Sequence, residues 1–187
     1  MLANGPIKVG AAYMQGNGVV SNTGGAITDS QFAREFGTGS NHDRQRTFGA
    51  GASYSLDAAM FGAVWTQTRL DNNDIAGYSN VFNNFEVNAR YAVTPALALG
   101  AAYTYTTGRV TEFSQPSEKT KFHQFGLQVD YALSKRTDFH VETIAQIGSA
   151  SGDALTPNAA IANSNGAFGA SSSSRQVAVS TGIRHRF

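Results

Sequence analysis
The stretch Phe85-Glu86-Val87-Asn88-Ala89-Arg90-Tyr91-Ala92-Val93 has an apolar or aromatic residue at every odd position, with Glu86, Asn88 and Arg90 between them. Side chains alternate across a β-strand, so one face of this segment is apolar and the other carries charge. The same period of two recurs over residues 7–14, 46–54, 59–67, 97–107, 121–133, 138–147 and 175–187, which with 85–93 makes eight strands. Most have about 9–11 residues, the length at which a tilted strand crosses a bilayer. Helical periodicity appears nowhere, and the fold class read from the pattern is all-β.

The connections alternate as regularly as the side chains. Residues 15–45, 71–82, 108–120 and 148–174 are long, polar and rich in Gly, Asn or Ser, whereas 55–58, 93–96 and 134–137 are short. An up-and-down antiparallel barrel in an outer membrane has short turns at one end and long loops at the other, and this order reproduces it. A soluble lipocalin-like barrel has no reason to gather all its long loops at one end.

The aromatics test the same reading. Tyr54, Tyr91 and Tyr131 come just before short turns, Phe139 just after one, and Phe187 ends the chain. Tyr13, Trp65, Tyr103 and Tyr105 precede long connections, and Phe48 and Phe85 follow them. All share the apolar face of their strands, with small residues such as Ala11, Ala50, Ala52, Ala63 and Ala101 between. Two belts of rings flanking a band of small apolar residues match the two interfaces of a bilayer. A β-sandwich core would instead concentrate its large side chains mid-strand. An apolar-Gly-Ala-x-aromatic repeat at 9–13, 61–65 and 99–103 recurs once per hairpin, as in an up-and-down barrel.

Composition agrees. Charged residues make up 14% of the 187, against roughly 25% in ordinary globular proteins. The net charge of +1 gives no electrostatic case for a nucleic-acid partner. The absence of Cys removes disulfides, zinc–thiolate sites and a cysteine nucleophile from consideration. No apolar run is long enough for a transmembrane helix. Residues 1–6 lack the basic and apolar regions of a signal peptide, so the expectation is that a signal was removed or that the sequence begins part-way through a longer protein.

If the apolar face meets lipid, the other names the lumen: Lys8, Arg46, Glu86, Asn88, Arg90, Gln124, Gln128, Asp130, His140, Glu142, Gln146, Gln176, Arg184 and Arg186. Fixed charges and amides in this number cannot pack dry without a large desolvation cost, which favours a water-filled channel. Charges of both signs would set a field across it that biases ion choice. The alternative is a salt-bridge network filling a small closed barrel.

Other chemistry is poorly supported. Asp138, His140 and Glu142 share one face, but three side chains in line span about 13 Å, poor geometry for one ion, so neither metal nor cofactor is expected. His42, Glu112 and Asp153 are the suspects if the barrel were an enzyme with rim catalysis, yet no catalytic motif accompanies them, and the expectation is a non-enzyme. A small closed outer-membrane barrel acting structurally or adhesively through 15–45 and 148–174 is the competing reading, although those loops carry few aromatic anchors.

The run Asp130-Tyr-Ala-Leu-Ser-Lys-Arg-Thr137 and the closing Gly182-Ile-Arg-His-Arg-Phe187 resemble the Gram-negative general porins of the β-proteobacterial type. Gly5-Pro-Ile-Lys-Val-Gly-Ala-Ala-Tyr13 is similar to a mid-barrel strand of these proteins, and the resemblance extends over essentially the whole chain, least in the loops. It implies a sixteen-stranded, trimeric outer-membrane channel passing ions and small hydrophilic solutes, of which residues 1–187 are the C-terminal half. By the same resemblance the inward-folded constriction loop belongs to the other half. Phe187, with Ile183 and His185 on its face, resembles the signal read by barrel-assembly machinery. An isolated half would stand open with two unpaired edges, close as an eight-stranded barrel, or pair with a second copy.

Overall fold
A computed structural model describes residues 2–17, 44–72, 78–111, 118–151, 159, 161 and 171–187. Every described strand belongs to one antiparallel sheet in which each pairs with its sequence neighbours: β1 (Leu2–Asn4), β2 (Ile7–Asn17), β3 (Arg44–Leu56), β4 (Ala59–Asn72), β5 (Tyr78–Ala92), β6 (Leu97–Thr111), β7 (Glu118–Ala132), β8 (Thr137–Ser151) and β9 (Arg175–His185). The order is an up-and-down meander whose edges, β1 and β9, do not pair with each other. Eight long strands match the expectation. The short β1 adds to it, turning through Gly5 at a φ of +57°, a conformation glycine adopts without steric cost.

The strands run further toward the long connections than the bilayer-crossing length required. Residues 68–72 and 78–84, for example, continue the β4–β5 ladder, with Arg69 opposite Val81 and Asp71 opposite Ser79. Backbone pairing does not depend on apolar side chains, so the ladder continues past the aromatic belt into polar sequence. The short turns are held locally. Thr94 Oγ1 accepts from the N–H groups of Ala96 and Leu97 at 3.2 and 3.0 Å, and Ser134 Oγ accepts from those of Arg136 and Thr137 at 3.2 and 3.1 Å. A hydroxyl at the first corner thus fixes both hairpins in the same way. Asp57 turns the β3–β4 hairpin in the left-handed region, φ +47°, which Asp tolerates better than most residues.

Exposure is inverted relative to a water-soluble protein. In β3, Phe48, Ala50, Ala52 and Tyr54 are exposed while Gly49, Gly51 and Ser53 between them are half-buried. Across the sheet the same face shows Leu127 at 65%, Val87 at 56% and Ile183 at 68% exposure. A sheet whose apolar side is the open one needs a hydrocarbon solvent on that side.

Candidate functional site
Register converts the alternation into two continuous surfaces. On the apolar face, pairing sets Trp65, Phe85, Tyr105 and His123 side by side across β4–β7. Tyr13 meets Phe48 at 4.9 Å and Tyr103 meets Phe125 at 5.0 Å between ring centres, both in tilted contact. Toward the short turns, Tyr131, Phe139 and Ile183 form a second row, with Tyr54 beside Phe61 and Tyr91 beside Leu99. His123 joins the first belt because its Nδ1 meets the Tyr103 hydroxyl at 2.8 Å and its ring lies 4.9 Å from that of Tyr105. Ile183, His185 and Phe187 share this face, with His185 and Phe187 in edge-to-face contact at 4.9 Å.

The opposite face is polar and hydrogen-bonded both along and between strands. Lys8 stands opposite Ser53 on β2 and β3. Asn88 donates to Glu86 Oε1 at 2.9 Å, and Gln146 donates to Gln124 at 3.1 Å. Gln128 donates to Asp130 at 3.0 Å. Arg184 pairs with Asp138 at 3.0 Å, and these two gather with Arg90, Asp130 and Arg186 around a recess at the short-turn end. Glu142 lies opposite Gln128, and His140 lies over Gly182, where an added Cβ would come within 2.8 Å of the ring. No cation pairs with Glu86 or Glu142 among the described residues.

The Gram-negative porin family model matches residues 1–147. This chain belongs to the Gram-negative porins. Its fold is similar to that of OmpT, an outer membrane protein of Vibrio cholerae. The loop L8 deletion mutant of OmpT superposes with a TM-score of 0.63 at 18% identity, covering 98% of this chain and 50% of that one. The outer-membrane expressed OmpT gives 0.63 at 19%, and the in-vitro folded trimer form gives 0.58 at 16%, each covering 98% of this chain and 53% of that one. This porin chain therefore spans about half the length of these relatives. Among curated protein sequences none matches it.

Within the porin sheet, the structure corrects one residue of the polar set. Arg46 lies two residues from Phe48, on the apolar face, and its guanidinium reaches Asp71 at 2.5 Å. Arg69 at 2.9 Å and Arg44 at 3.3 Å share the same carboxylate. Burial pushes the Asp71 carboxyl up, but the hydrogen bonds and charges of Arg69 and Arg46 outweigh it and hold the group below the ordinary carboxylate value. Beyond the aromatic belt charged side chains stand on the apolar-parity face as well, so charge no longer reports which side a residue is on. Spacing from Phe48 does.

The long-connection end of the polar face also departs from the expectation of an open wet lumen. Leu70, Phe82 and Phe122 form a buried cluster there, with Asn80 and Thr120 buried beside them. Phe82 and Phe122 each sit opposite a glycine, Gly108 and Gly148, which leaves room for the ring. The Ile161 N–H donates to Gln176 Oε1 at 2.6 Å, so part of the connection before β9 reaches this face, and Ile161 is itself buried. The signal was present in the sequence, since Leu70, Phe82 and Phe122 have the parity of the polar face. Two of them fell beyond the strand ends drawn at the belt. His42, Glu112 and Asp153 lie outside the described residues, and among the described residues no group of His, Asp or Glu is arranged to hold a metal.

Proposed function
We propose that this chain forms half of the wall of a passive diffusion channel for ions and small hydrophilic solutes, in a porin of the β-proteobacterial general type. The observation that carries the reading is the inverted exposure of the sheet, with large apolar side chains open on one side and, on the other, half-buried Glu86 and Glu142 with exposed Arg90 and Arg184. A wall of that kind separates lipid from water. The edges β1 and β9 expose backbone groups that a bilayer cannot satisfy, and closure by the remaining strands of a longer subunit meets that need. The Tyr131–Thr137 turn and the Phe187 terminus support the finer assignment, and the trimeric form of the OmpT neighbour supports a homotrimer. Barrel-assembly machinery is the partner that the Ile183, His185 and Phe187 face would address. The proposal includes no catalytic step and no cofactor.

Reconstitution of the full-length protein in planar bilayers tests it. Stepwise ohmic conductance, with liposome swelling in small sugars, is the expected result. Folded trimers that insert and neither conduct nor admit sugar would overturn the channel in favour of a structural or adhesive barrel.

A further inference from the structure
At the short-turn end of the polar face, four cations (Arg90, Lys135, Arg184 and Arg186) and two carboxylates (Asp130 and Asp138) line a recess of about 380 Å³. One pair is internal to the wall: Arg184 Nε donates to Asp138 at 3.0 Å, and the two neutralise each other. The other charges have no such partner. Asp130 accepts from the neutral Gln128 amide at 3.0 Å, and among the described residues no carboxylate pairs with Arg90, Lys135 or Arg186. The register keeps Arg90 and Asp130 on either side of the recess. Arg90 stands on β5 opposite Gly100 and Asp130 on β7 opposite Ala98, so β6 runs between them and presents a glycine and a methyl group. With strands about 4.8 Å apart and about 3.4 Å per residue, their Cα atoms are roughly 12 Å apart. Ala98 is buried and forms part of the floor.

We propose that this recess binds an acidic amino acid, with the solute's ammonium group on Asp130 and its carboxylates on Arg90 and Arg186. Charge selects the class. A simple anion is drawn by the cations and repelled by Asp130, and a simple cation meets the reverse. A solute with two carboxylates and one ammonium group finds an opposite charge for each of its own. Arg90 and Arg186 are both exposed, and a guanidinium offers a carboxylate two parallel N–H donors. Lys135, exposed on the turn, adds attraction for net negative charge without fixing its position. Because the recess is open to solution, each ion pair strengthens binding by about fivefold at most, which suits a solute held briefly at the mouth of a pore. The proposal rests on the reading of this face as the solution side of a channel wall.

Saturation-transfer NMR of the folded full-length porin in detergent, with L-glutamate and with glutarate, tests the site. Glutarate has the same two carboxylates and no ammonium group. The expected result is a Kd for glutamate about fivefold below that for glutarate, the upper range for one exposed ion pair. D130N is expected to abolish that difference, and R90Q/R186Q to weaken both ligands by about fivefold or more. Equal binding of the two solutes to the wild type, a result that needs no variant to fold, overturns the amino-acid assignment in favour of a plain dicarboxylate. A preference that survives D130N in folded porin overturns the placement of the site. Single-channel recording on the same preparations separates this proposal from the channel reading. Conducting porin without a glutamate preference removes the site and leaves the channel standing. Non-conducting porin that keeps the preference retains the site and removes the channel.

Discussion
Asp71 shows how much one side chain settles at the rim. Arg44, Arg46 and Arg69 converge on it, and without its carboxylate they would face one another across β3 and β4. Its folded-state pKa lies below the unfolded value of about 3.9, so the stabilisation is fully present above that pH and is lost as pH falls through the folded value. Asp71→Asn is expected to cost about 1–2 kcal/mol at pH 7. The difference from wild type should shrink toward a second, strongly acidic pH below the lowered folded value, where the native carboxyl is also protonated. Urea midpoints in vesicles at the two pH values check this, and an equal difference at both would exclude the charge as the cause. Arg46 has the parity of Phe48 and so belongs to the apolar face, and its charge stops reporting the face once the strand leaves the bilayer. The convergence on Asp71 was not legible, because it depends on the register of β3 against β4, which brings together side chains 25 and 27 residues apart in sequence.

At the scale of the strand, alternation gives each residue one of two solvents. Leu127 on β7 is 65% exposed on the apolar face, and its neighbour Gln128 points to the side holding Asp130 and Glu142. Leu127→Arg should destabilise the folded barrel by about 2–4 kcal/mol, the cost of a cation near the bilayer midplane. Gln128→Arg, one residue away, should be neutral or mildly stabilising because two carboxylates lie beside it. Refolding titrations of both variants in the same lipid decide the point, and comparable losses would contradict the two-solvent reading. Strand identity was readable from period two, whereas strand length was not. The sequence marks where the hydrocarbon ends at Trp65 and Phe85, but the β4–β5 ladder continues to Asn72 and Tyr78 on backbone hydrogen bonds that any residue can make.

Over the whole molecule, the functional consequence lies in how charge is arranged on the polar wall. Arg184 is paired with Asp138, whereas Glu86 is held by the neutral donors Asn88 and Thr104, and Glu142 faces Gln128. Carboxylates without a cation beside them keep their field for the solution. In the proposed channel, E86Q/E142Q should move the reversal potential in a salt gradient toward anion permeation while single-channel conductance stays similar. An unchanged reversal potential would show that these two groups do not face the ion path.

The sequence by itself determined the class of fold, the separation into an apolar and a polar face, the aromatic belts and the order of turns and loops. These follow from nearest-neighbour chemistry, a period of two and the length of a strand in a bilayer, and they need no knowledge of which strands meet. The tertiary structure decided what depends on register: that Arg46 and Arg69 share Asp71, that Arg109 faces Lys119 with no carboxylate paired to either among the described residues, and that Leu70, Phe82 and Phe122 close over two glycines into a buried cluster. A shift of one residue in the pairing that carries one of these arrangements would leave the pattern of each strand intact and dissolve that arrangement, because side chains at odd offsets stand on opposite faces.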